Sequence, residues 1–440
     1  MNLAIHTLRQ DMNLILKAAL RSSVAKNAGS LYVIQIANYV VPLITVPYLV
    51  RVLGPAGYGT VAFGQSLTAY FTLFVDYGFA LSATRKISVN RGDQVAISRT
   101  VFNVWAAKML FCIAGMVVLL VLVSLVPKLH DMAALLFVLY GSVLGNTLFP
   151  VWLYQGMEKM VAISVINLVM RLLVVIGIFT IIHQPDDYLL YAGLTSLGAV
   201  AAGVAGVVVA FHMFKLRPAL PSWRGIWEEM AGGWTLFLSQ ASVSLYTVGN
   251  AFILGLLTNN TVVGYYSAAE KIVKAIVGML SPVSQAAYPR FSKMASESKA
   301  LALQWGRRML FFMGGIGLIL SVALFAGAPM IVRIVLGPGY EPSIMVIRVL
   351  AALPLLIGVS NILGIQLMLP FGKDKKFTAI LFSAGLINIV LALILAPLLE
   401  ATGMALSVLT SEVFVTSAML TTLSLDNLNP LIGRHLSGKP

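Results

Sequence analysis

Long apolar runs, separated by Gly, Pro and short charged stretches, recur along the whole chain. A run of about 20 apolar residues lets one helix cross the ~30 Å hydrocarbon core of a bilayer. Helices are favoured there because they satisfy their own backbone hydrogen bonds. The composition agrees, since 59% of the residues are hydrophobic and 10% are charged, against roughly 25% charged residues in soluble domains. The sequence therefore predicts an all-α membrane protein.

The breaks between apolar runs predict twelve transmembrane helices, six in each half of the chain. They lie near 29–50, 61–84, 103–126, 132–154, 161–182 and 188–213, and then near 234–257, 263–285, 309–335, 343–369, 377–399 and 401–423. The predicted organisation is a cytoplasmic N-terminal segment at 1–28, a six-helix bundle at 29–213, a cytoplasmic interfacial linker at 214–233, a second six-helix bundle at 234–425 and a cytoplasmic C-terminal tail at 426–440.

Positive charge is concentrated in alternate connections between these helices. The connections on one side contain 22 Lys and Arg residues, and they are 1–28, 85–102, 155–160, 214–233, 286–308, 370–376 and 426–440. The other side carries Arg51, Lys128 and Arg333. By the positive-inside rule, both termini are predicted to be cytoplasmic. The net charge of +14 then reflects topology and contact with anionic lipid, and no nucleic-acid partner is expected.

Several chemical functions are excluded by what the sequence lacks. Cys112 is the single cysteine, which rules out an internal disulfide and a Cys-based metal site. The five His residues are scattered without metal-ligand spacing. The Gly-rich stretch GPAGYG at 54–59 lacks the Lys of a phosphate-binding loop, so the chain is not expected to hydrolyse ATP. No cofactor is predicted.

The two halves of the chain repeat a set of weak motifs in the same order. RVLGPAGYG at 51–59 corresponds to GLLTNNTVVGYY at 255–266, and ATRKIS at 83–88 corresponds to PRFSKM at 289–294. With six helices in each half, the repeats should share one orientation and be related by an axis along the membrane normal. Two six-helix bundles around a central cavity are typical of alternating-access carriers, so transport is the expected function.

Charged residues inside the predicted spans are the candidate functional groups. A charge at the bilayer centre costs about 2.5–3.5 kcal/mol on insertion scales, so each should face a partner or a water-filled cavity. Glu270 and Lys274 are spaced i,i+4, which favours an ion pair. Together with Lys271, this cluster has surplus positive charge, which suits a phosphate group. The alternative is that the cluster is partly neutralised and its side chains snorkel to the outer interface of the membrane. Glu412 is either a protonatable coupling group or a buried neutral acid.

Other intramembrane charges need partners that the sequence does not identify. Asp76 lies nine residues before Arg85 on one predicted helix, too far for a pair, so its partner must come from another helix or from the cavity. Arg171 lies near the middle of its span and must bond to carbonyl groups, to an acid or to substrate. Lys108 and Arg348 lie close enough to span ends to snorkel to the interface.

Two stretches near the N-terminus carry a family resemblance. PLITVPYLVRVLGPAGYG at 42–59 and YFTLFVDYGFALSATRKIS at 70–88 resemble the start of Wzx-type O-antigen and exopolysaccharide flippases. These polysaccharide transporters share a superfamily with multidrug extruders and peptidoglycan lipid flippases. The resemblance implies translocation of an undecaprenyl-diphosphate-linked oligosaccharide from the cytoplasmic to the periplasmic leaflet of the bacterial inner membrane. It also implies a positively charged cavity and coupling to an ion gradient, of H⁺ or Na⁺.

The resulting hypothesis is that Lys271 and Lys274 attract the diphosphate while Asp76 keeps Arg85 or another cation paired in the empty cavity. The expected substrate-binding residues are Arg51, Asp76, Arg85, Arg171, Glu270, Lys271, Lys274 and Arg348. Membrane lipids are expected partners, and contact with polysaccharide polymerase and chain-length proteins is left open. The alternatives are a multidrug or toxin extruder of the same superfamily and, less favoured, a membrane glycan polymerase or ligase.

Overall fold

The computed structural model describes the backbone of residues 23–431 and the side chains of residues 41–431, except those of Thr235, Ser239, Ser242, Val243, Leu245, Tyr246, Thr247, Gln285, Ala286 and Pro289. Most of the predicted N-terminal segment 1–28 and of the predicted tail 426–440 therefore lies outside the described residues.

Residues 23–431 form helices and connections, without a strand. The α-helices are α1 Ser23–Asp76, α2 Phe79–Val89, α3 Gln94–Leu125, α4 Pro127–His130, α5 Ala133–Leu148, α6 Val151–Gly156, α7 Met160–Ile181, α8 Tyr188–Phe214, α9 Trp223–Thr247, α10 Asn250–Leu257, α11 Asn260–Gly278, α12 Ser281–Glu297, α13 Lys299–Ile331, α14 Ser343–Leu350, α15 Leu353–Asn361 and α16 Asp374–Leu425. A 3₁₀ turn covers Pro185–Asp187, and π-helical segments cover Val332–Leu336 and Ile362–Met368.

Among the described residues, seven helical segments are long and apolar enough to cross a membrane. They are Gln94–Leu125, Ala133–Gly156, Met160–Ile181, Pro185–Phe214, Lys299–Leu336, Ser343–Met368 and Asp374–Leu425. An all-α, multi-pass membrane protein, as the sequence predicts, is therefore confirmed. The arrangement of twelve spans in two six-helix bundles stays a prediction.

Helix α16 reverses direction near its middle. A straight helix of its 52 residues would be about 78 Å long at ~1.5 Å per residue. Yet Lys376, in its first turn, lies 2.9 Å from the carboxylate of Asp426 at its C-cap. The backbone turns at Glu400, where φ is 50°. Hydrogen bonds from Lys376 and Lys373 lower the pKa of Asp426. The same ion pairs hold the two ends of this helical hairpin together.

The described chain packs into two compact units, each with its own core. Unit 1 contains the described residues up to 41 together with 71–180 and 192–237, and unit 2 contains 42–70, 181–191 and 238–431. The unit 1 core is formed by residues such as Phe79, Val104, Trp152, Leu153 and Ile226. The unit 2 core is formed by residues such as Met313, Leu363, Leu367, Met419 and Leu423. The predicted domain boundaries at 213 and 234 stay predictions.

The second predicted span is interrupted where the sequence predicts a continuous helix over 61–84. Helix α1 ends at Asp76, Tyr77 has φ 40° and Gly78 has φ 77°, and α2 begins at Phe79. A side chain at Gly78 would also meet the carbonyl oxygen of Gly233 at 2.9 Å, so glycine is required by conformation and by packing. This break places Asp76 at the C-terminal end of a helix.

The repeated Gly/Tyr motifs of the two halves pack directly against each other within unit 2. A Cβ atom at Gly59 would lie 1.8 Å from the carbonyl oxygen of Asn260, and one at Gly264 would lie 2.0 Å from that of Pro55. The amide of Asn260 also donates a hydrogen bond of 2.9 Å to the hydroxyl of Thr60. Helices α1 and α11 thus cross at backbone contact, which small residues permit in membrane proteins.

We predict that Gly59→Ala and Gly264→Ala each destabilise the protein by about 1–3 kcal/mol, because the added methyl must push two backbones apart. Thermal unfolding of the purified protein in detergent measures this as a lower melting temperature. Gly315→Ala in α13 is the matched control, since no atom lies within 4 Å of a Cβ there. Equal melting temperatures for Gly59→Ala and the control would contradict the close crossing.

Candidate functional site

A cavity with mostly apolar walls and a few polar side chains lies within unit 2 beside α11. Its volume is about 390 Å³, and helices α10, α11, α14, α15 and α16 contribute to its walls. Helix α11 begins after Asn259, whose side chain caps it by accepting a 3.0 Å hydrogen bond from the backbone N–H of Val262. Tyr266, Glu270 and Lys274 follow at intervals of four residues and therefore share one face of this helix. That face lines the cavity.

Glu270 is the centre of a short hydrogen-bonded chain on this face. The hydroxyl of Tyr266 donates to Glu270 Oε1 at 2.9 Å, and Lys274 Nζ lies 3.0 Å from the same oxygen. The i,i+4 ion pair predicted from the sequence is confirmed. Glu270 is 16% exposed whereas Lys274 is 54% exposed, so the carboxylate is the enclosed partner of the pair and the ammonium group is the accessible one.

A second carboxylate reaches the same cavity from α16. Glu412 is buried and accepts a hydrogen bond of 2.9 Å from the hydroxyl of Ser360. Both residues line the cavity together with Glu270 and Lys274. The described lining therefore contains two acidic groups and one basic group, which is a less positive balance than the sequence predicts for this region.

Lys271 does not share this cavity with Lys274. Its ammonium group lies 5.0 Å from the centre of the Tyr58 ring, and it lines a narrow cleft with Pro42 and Pro47. Tyr58 is buried and belongs to the Gly-rich stretch 54–59 of α1. The two lysines of the hypothesis lie only about 60° apart around α11, yet Lys274 lines the large cavity whereas Lys271 lines the cleft beside the proline-containing part of α1.

Two other predicted site residues of unit 2 contact the protein away from the large cavity. The Arg51 guanidinium donates a hydrogen bond to the carbonyl oxygen of Ile334. Arg348 is exposed on α14, with its guanidinium carbon 5.7 Å from the centre of the Phe325 ring. Both side chains are cationic and exposed.

In unit 1, Asp76 pairs with Lys108 of α3. Lys108 Nζ lies 3.0 Å from Asp76 Oδ1 and donates a second hydrogen bond of 3.1 Å to the carbonyl oxygen of Asn146. Lys108 is 3% exposed and Asp76 is 51% exposed. The expectation that Asp76 pairs with another helix is confirmed. The expectation that Lys108 snorkels is wrong, because the nearby carboxylate and carbonyl satisfy its charge inside the unit.

The Asp76–Lys108 pair also offsets an unfavourable charge at the C-terminal end of α1. A carboxylate at a helix C-terminus faces the negative end of the helix dipole, which is unfavourable, whereas a cation there is favourable. Lys108 provides that cation. Arg85 is exposed on α2, one residue before Lys86, which pairs with the buried carboxylate of Glu229 on α9.

A second cavity, with a more polar lining and a volume of about 330 Å³, lies within unit 1. Arg171 and Asn167, one turn apart on α7, line it with Asn146 and Thr195. Asn146 therefore joins the Asp76–Lys108 pair to this cavity through its backbone carbonyl. Within residues 41–431, the structure records no carboxylate ion-paired to Arg171.

Sequence reasoning did not assign Tyr266, Ser360 or Asn146 to a site. Tyr266 could have been found, because it lies one helical turn before Glu270 on the same face. Ser360 and Asn146 act through partners 52 and 38 residues away, and no local pattern identifies such contacts.

The chain was compared with known families and proteins. A family model described as "Polysaccharide biosynthesis protein" matches residues 24–295. A protein named "Putative O-antigen transporter" from Escherichia coli (strain K12) is 32% identical over 398 residues, covering 90% of this chain and 96% of that one. A protein of the same name from Shigella dysenteriae is 29% identical over 399 residues, covering 90% of this chain and 98% of that one.

Two solved structures show the same fold at low sequence identity. Lipid II flippase MurJ in an inward closed conformation aligns with a TM-score of 0.69 at 12% identity, covering 92% of this chain and 89% of that chain. An inward-facing multidrug resistance MATE family transporter aligns with a TM-score of 0.64 at 15% identity, covering 89% and 96% respectively. At these identities the likeness concerns the fold alone.

We predict that Asp76→Ala destabilises the protein by about 3 kcal/mol, because it leaves the buried Lys108 ammonium without its carboxylate. Thermal unfolding of Asp76→Ala, Lys108→Met and the double variant forms a double-mutant cycle. The double variant should recover most of the lost stability. If the two single losses simply add in the double variant, the pair contributes nothing to the fold and this account of Asp76 is wrong.

Proposed function

Since the chain belongs to the polysaccharide biosynthesis protein family and, within it, to the Wzx-type flippases, we propose that it moves undecaprenyl-diphosphate-linked oligosaccharide from the cytoplasmic to the periplasmic leaflet. The cargo is an O-antigen or exopolysaccharide repeat unit. The protein acts as a secondary transporter, by alternating access and without enzymatic turnover of the glycan. Its location is the bacterial inner membrane, with both termini cytoplasmic and with two six-helix halves.

The observation that carries the proposal is the half-exposed Lys274, which is paired with Glu270 in the wall of the unit 2 cavity. A diphosphate-sugar headgroup is anionic and strongly hydrated, so it needs a cation that is accessible inside the membrane. Lysine serves phosphate as a point charge on a flexible stem. Because Glu270 is fixed by Tyr266, Lys274 can leave its carboxylate for a phosphate oxygen without rearrangement of the helix.

The two carboxylates of the cavity supply the coupling to an ion gradient in this proposal. An ionised carboxylate that is buried, as Glu412 is, is costly unless a proton or a cation accompanies it. Binding of H⁺ or Na⁺ at Glu270 and Glu412 would weaken the hold of Glu270 on Lys274. The ion bound at these carboxylates is thereby coupled to the partner of Lys274, so an ion gradient can bias the exchange of that partner.

The remaining predicted residues take supporting roles. Lys271 beside Tyr58 and Arg51 beside Ile334 add positive charge along α1 and α11. Arg171 supplies a cation to the polar cavity of unit 1. Arg85 and Arg348 are exposed and act as attracting charges rather than as part of a cavity.

A multidrug or toxin extruder is the second candidate function. The observation in its favour is the acidic balance of the unit 2 cavity, where Glu270 and Glu412 outnumber Lys274, because cationic drugs bind to carboxylates. The fold it shares with a MATE family transporter is compatible with this reading. Export of cationic dyes by cells that lack the polysaccharide pathway would favour it.

We predict that Lys271→Gln/Lys274→Gln abolishes surface glycan in a strain that depends on this protein, and that undecaprenyl-linked repeat units accumulate. The cation for the diphosphate is lost, whereas Glu270 keeps its Tyr266 hydrogen bond. Immunoblots of surface polysaccharide and extraction of lipid-linked intermediates measure the two effects. Lys274→Arg alone should retain partial export, since it keeps the charge.

The matched control for this prediction is Lys299→Gln/Lys375→Gln, which removes two exposed lysines that line none of the described cavities. Membrane levels and melting temperatures of both double variants must equal those of the wild type. Full export by Lys271→Gln/Lys274→Gln at normal levels would refute the assignment of these lysines to substrate.

A further inference from the structure

A cleft in unit 1, distinct from the two cavities described above, is lined by three cations at the ends of helices. Its volume is about 340 Å³, and we call it the basic cleft. It is lined by Gln94, Met157, Lys159, Met213, Phe214, Lys215 and Arg217. These residues come from the connections 85–102, 155–160 and 214–233, all predicted from their charge to be cytoplasmic, together with the last turn of α8.

The lining of the basic cleft contains no acidic residue that would neutralise its positive charge. Lys159, Lys215 and Arg217 are the charged residues of its lining, without an acidic residue among them. The acidic residue next to Lys159 in sequence, Glu158, pairs with Arg91 at 2.8 Å. The acidic residue next to Gln94, Asp93, instead accepts hydrogen bonds from the first backbone N–H groups of α3.

The helix dipole accounts for part of this arrangement. Lys215 and Arg217 follow the C-terminus of α8, where cations are favoured. Lys159 directly precedes the first residue of α7, where the dipole disfavours a cation and favours an anion. An anionic ligand in the cleft would be attracted by Lys159 and by the N-terminal end of α7 together.

The loop that carries two of the cations is held in place by side chains of α3. The amide of Gln94 donates hydrogen bonds to the carbonyl oxygens of Phe214 and Lys215. The hydroxyl oxygen of Ser98 accepts a hydrogen bond of 3.2 Å from the backbone N–H of Arg217. Lys215 itself has φ 49°, a conformation that costs free energy in a residue with a side chain. The cleft is therefore a fixed feature of the fold.

The surroundings of the cleft are those of a membrane interface. Met157 and Met213 give it an apolar side, and Met213 is 45% exposed. Trp223 and Trp227 on the adjoining α9 are mostly exposed, as is typical of tryptophans at the level of lipid headgroups. A free phosphate ion would use the three cations but would gain nothing from the methionines, whereas a lipid would use both.

We propose that the basic cleft binds the phosphate headgroup of an anionic phospholipid in the cytoplasmic leaflet. The phosphate lies among Lys159, Lys215 and Arg217, and the acyl chains leave along Met157 and Met213. Basic pockets between membrane helices on the cytoplasmic side are suited to such headgroups. The bound lipid would tie the ends of α3, α7 and α8 together at one place.

The test compares lipid retention by the full-length protein with that of two triple variants. Lys159→Gln/Lys215→Gln/Arg217→Gln removes the cleft cations. Lys299→Gln/Arg308→Gln/Lys375→Gln removes the same number of exposed charges from connections predicted on the same side. Native mass spectrometry counts phosphatidylglycerol and cardiolipin retained from mixtures with phosphatidylcholine. The wild type and the control should retain one anionic lipid, and the cleft variant should bind it at least tenfold more weakly.

Two further measurements identify which molecule supplies the phosphate and show whether the variants are folded. Inorganic phosphate or undecaprenyl phosphate is added in competition, and the melting temperature in phosphatidylcholine alone is measured for all three proteins. Equal retention of phosphatidylglycerol by wild type and cleft variant would overturn the proposal. So would displacement of the lipid by millimolar phosphate, which means a free-phosphate site, or stronger binding of undecaprenyl phosphate, which means a substrate-loading site. The single variant Lys159→Gln provides the same test if the triple variant unfolds.

Discussion

A charge inside the hydrocarbon layer persists only when a partner is held against it, and this constraint organises the polar groups of both units. Lys108 is buried because Asp76 and the carbonyl of Asn146 both reach it. Glu270 is kept between Tyr266 and Lys274, and Glu412 is held by Ser360. All the residues of each ion pair or hydrogen-bonded group belong to a single unit. In the proposed function, the headgroup binds Lys274 by replacing Glu270, so exchange of partners is the basis of transport.

The buried charges differ in how easily a partner can be exchanged. In the Asp76–Lys108 pair the cation is enclosed and the carboxylate is half exposed, so an incoming anion cannot reach Lys108 directly. In the Glu270–Lys274 pair the order is reversed, because the cation is exposed and the carboxylate is enclosed. The first arrangement stabilises a helix break, and the second presents a cation to a cavity. This difference in exposure is why the second pair, and not the first, carries the proposed function.

Features that depend on local spacing could be predicted from the sequence, and features that depend on distant contacts could not. The Glu270–Lys274 pair follows from i,i+4 spacing on one helix. The similarity of the Gly/Tyr motifs around Gly59 and Gly264 was also visible in the sequence, but their direct contact was not. Lys271 and Lys274 were predicted to act together, and at about 100° per residue they lie only about 60° apart on α11. Yet Lys271 lines a cleft with α1 instead of the large cavity, and this packing of α1 has no local signal in the sequence. The interruption at Tyr77–Gly78 was not predicted, because the residues around this pair are mostly apolar and their hydrophobic pattern indicated a continuous helix.

Movement of the lipid-linked glycan by the purified protein tests the central claim most directly. Proteoliposomes are loaded with undecaprenyl-diphosphate oligosaccharide, and its appearance in the opposite leaflet is followed with a membrane-impermeant glycosidase under an imposed H⁺ or Na⁺ gradient. The account predicts gradient-accelerated movement by the wild type and movement by Glu412→Gln that no longer responds to the gradient. Rates equal to those of protein-free vesicles, or an unchanged gradient response in Glu412→Gln, would contradict it.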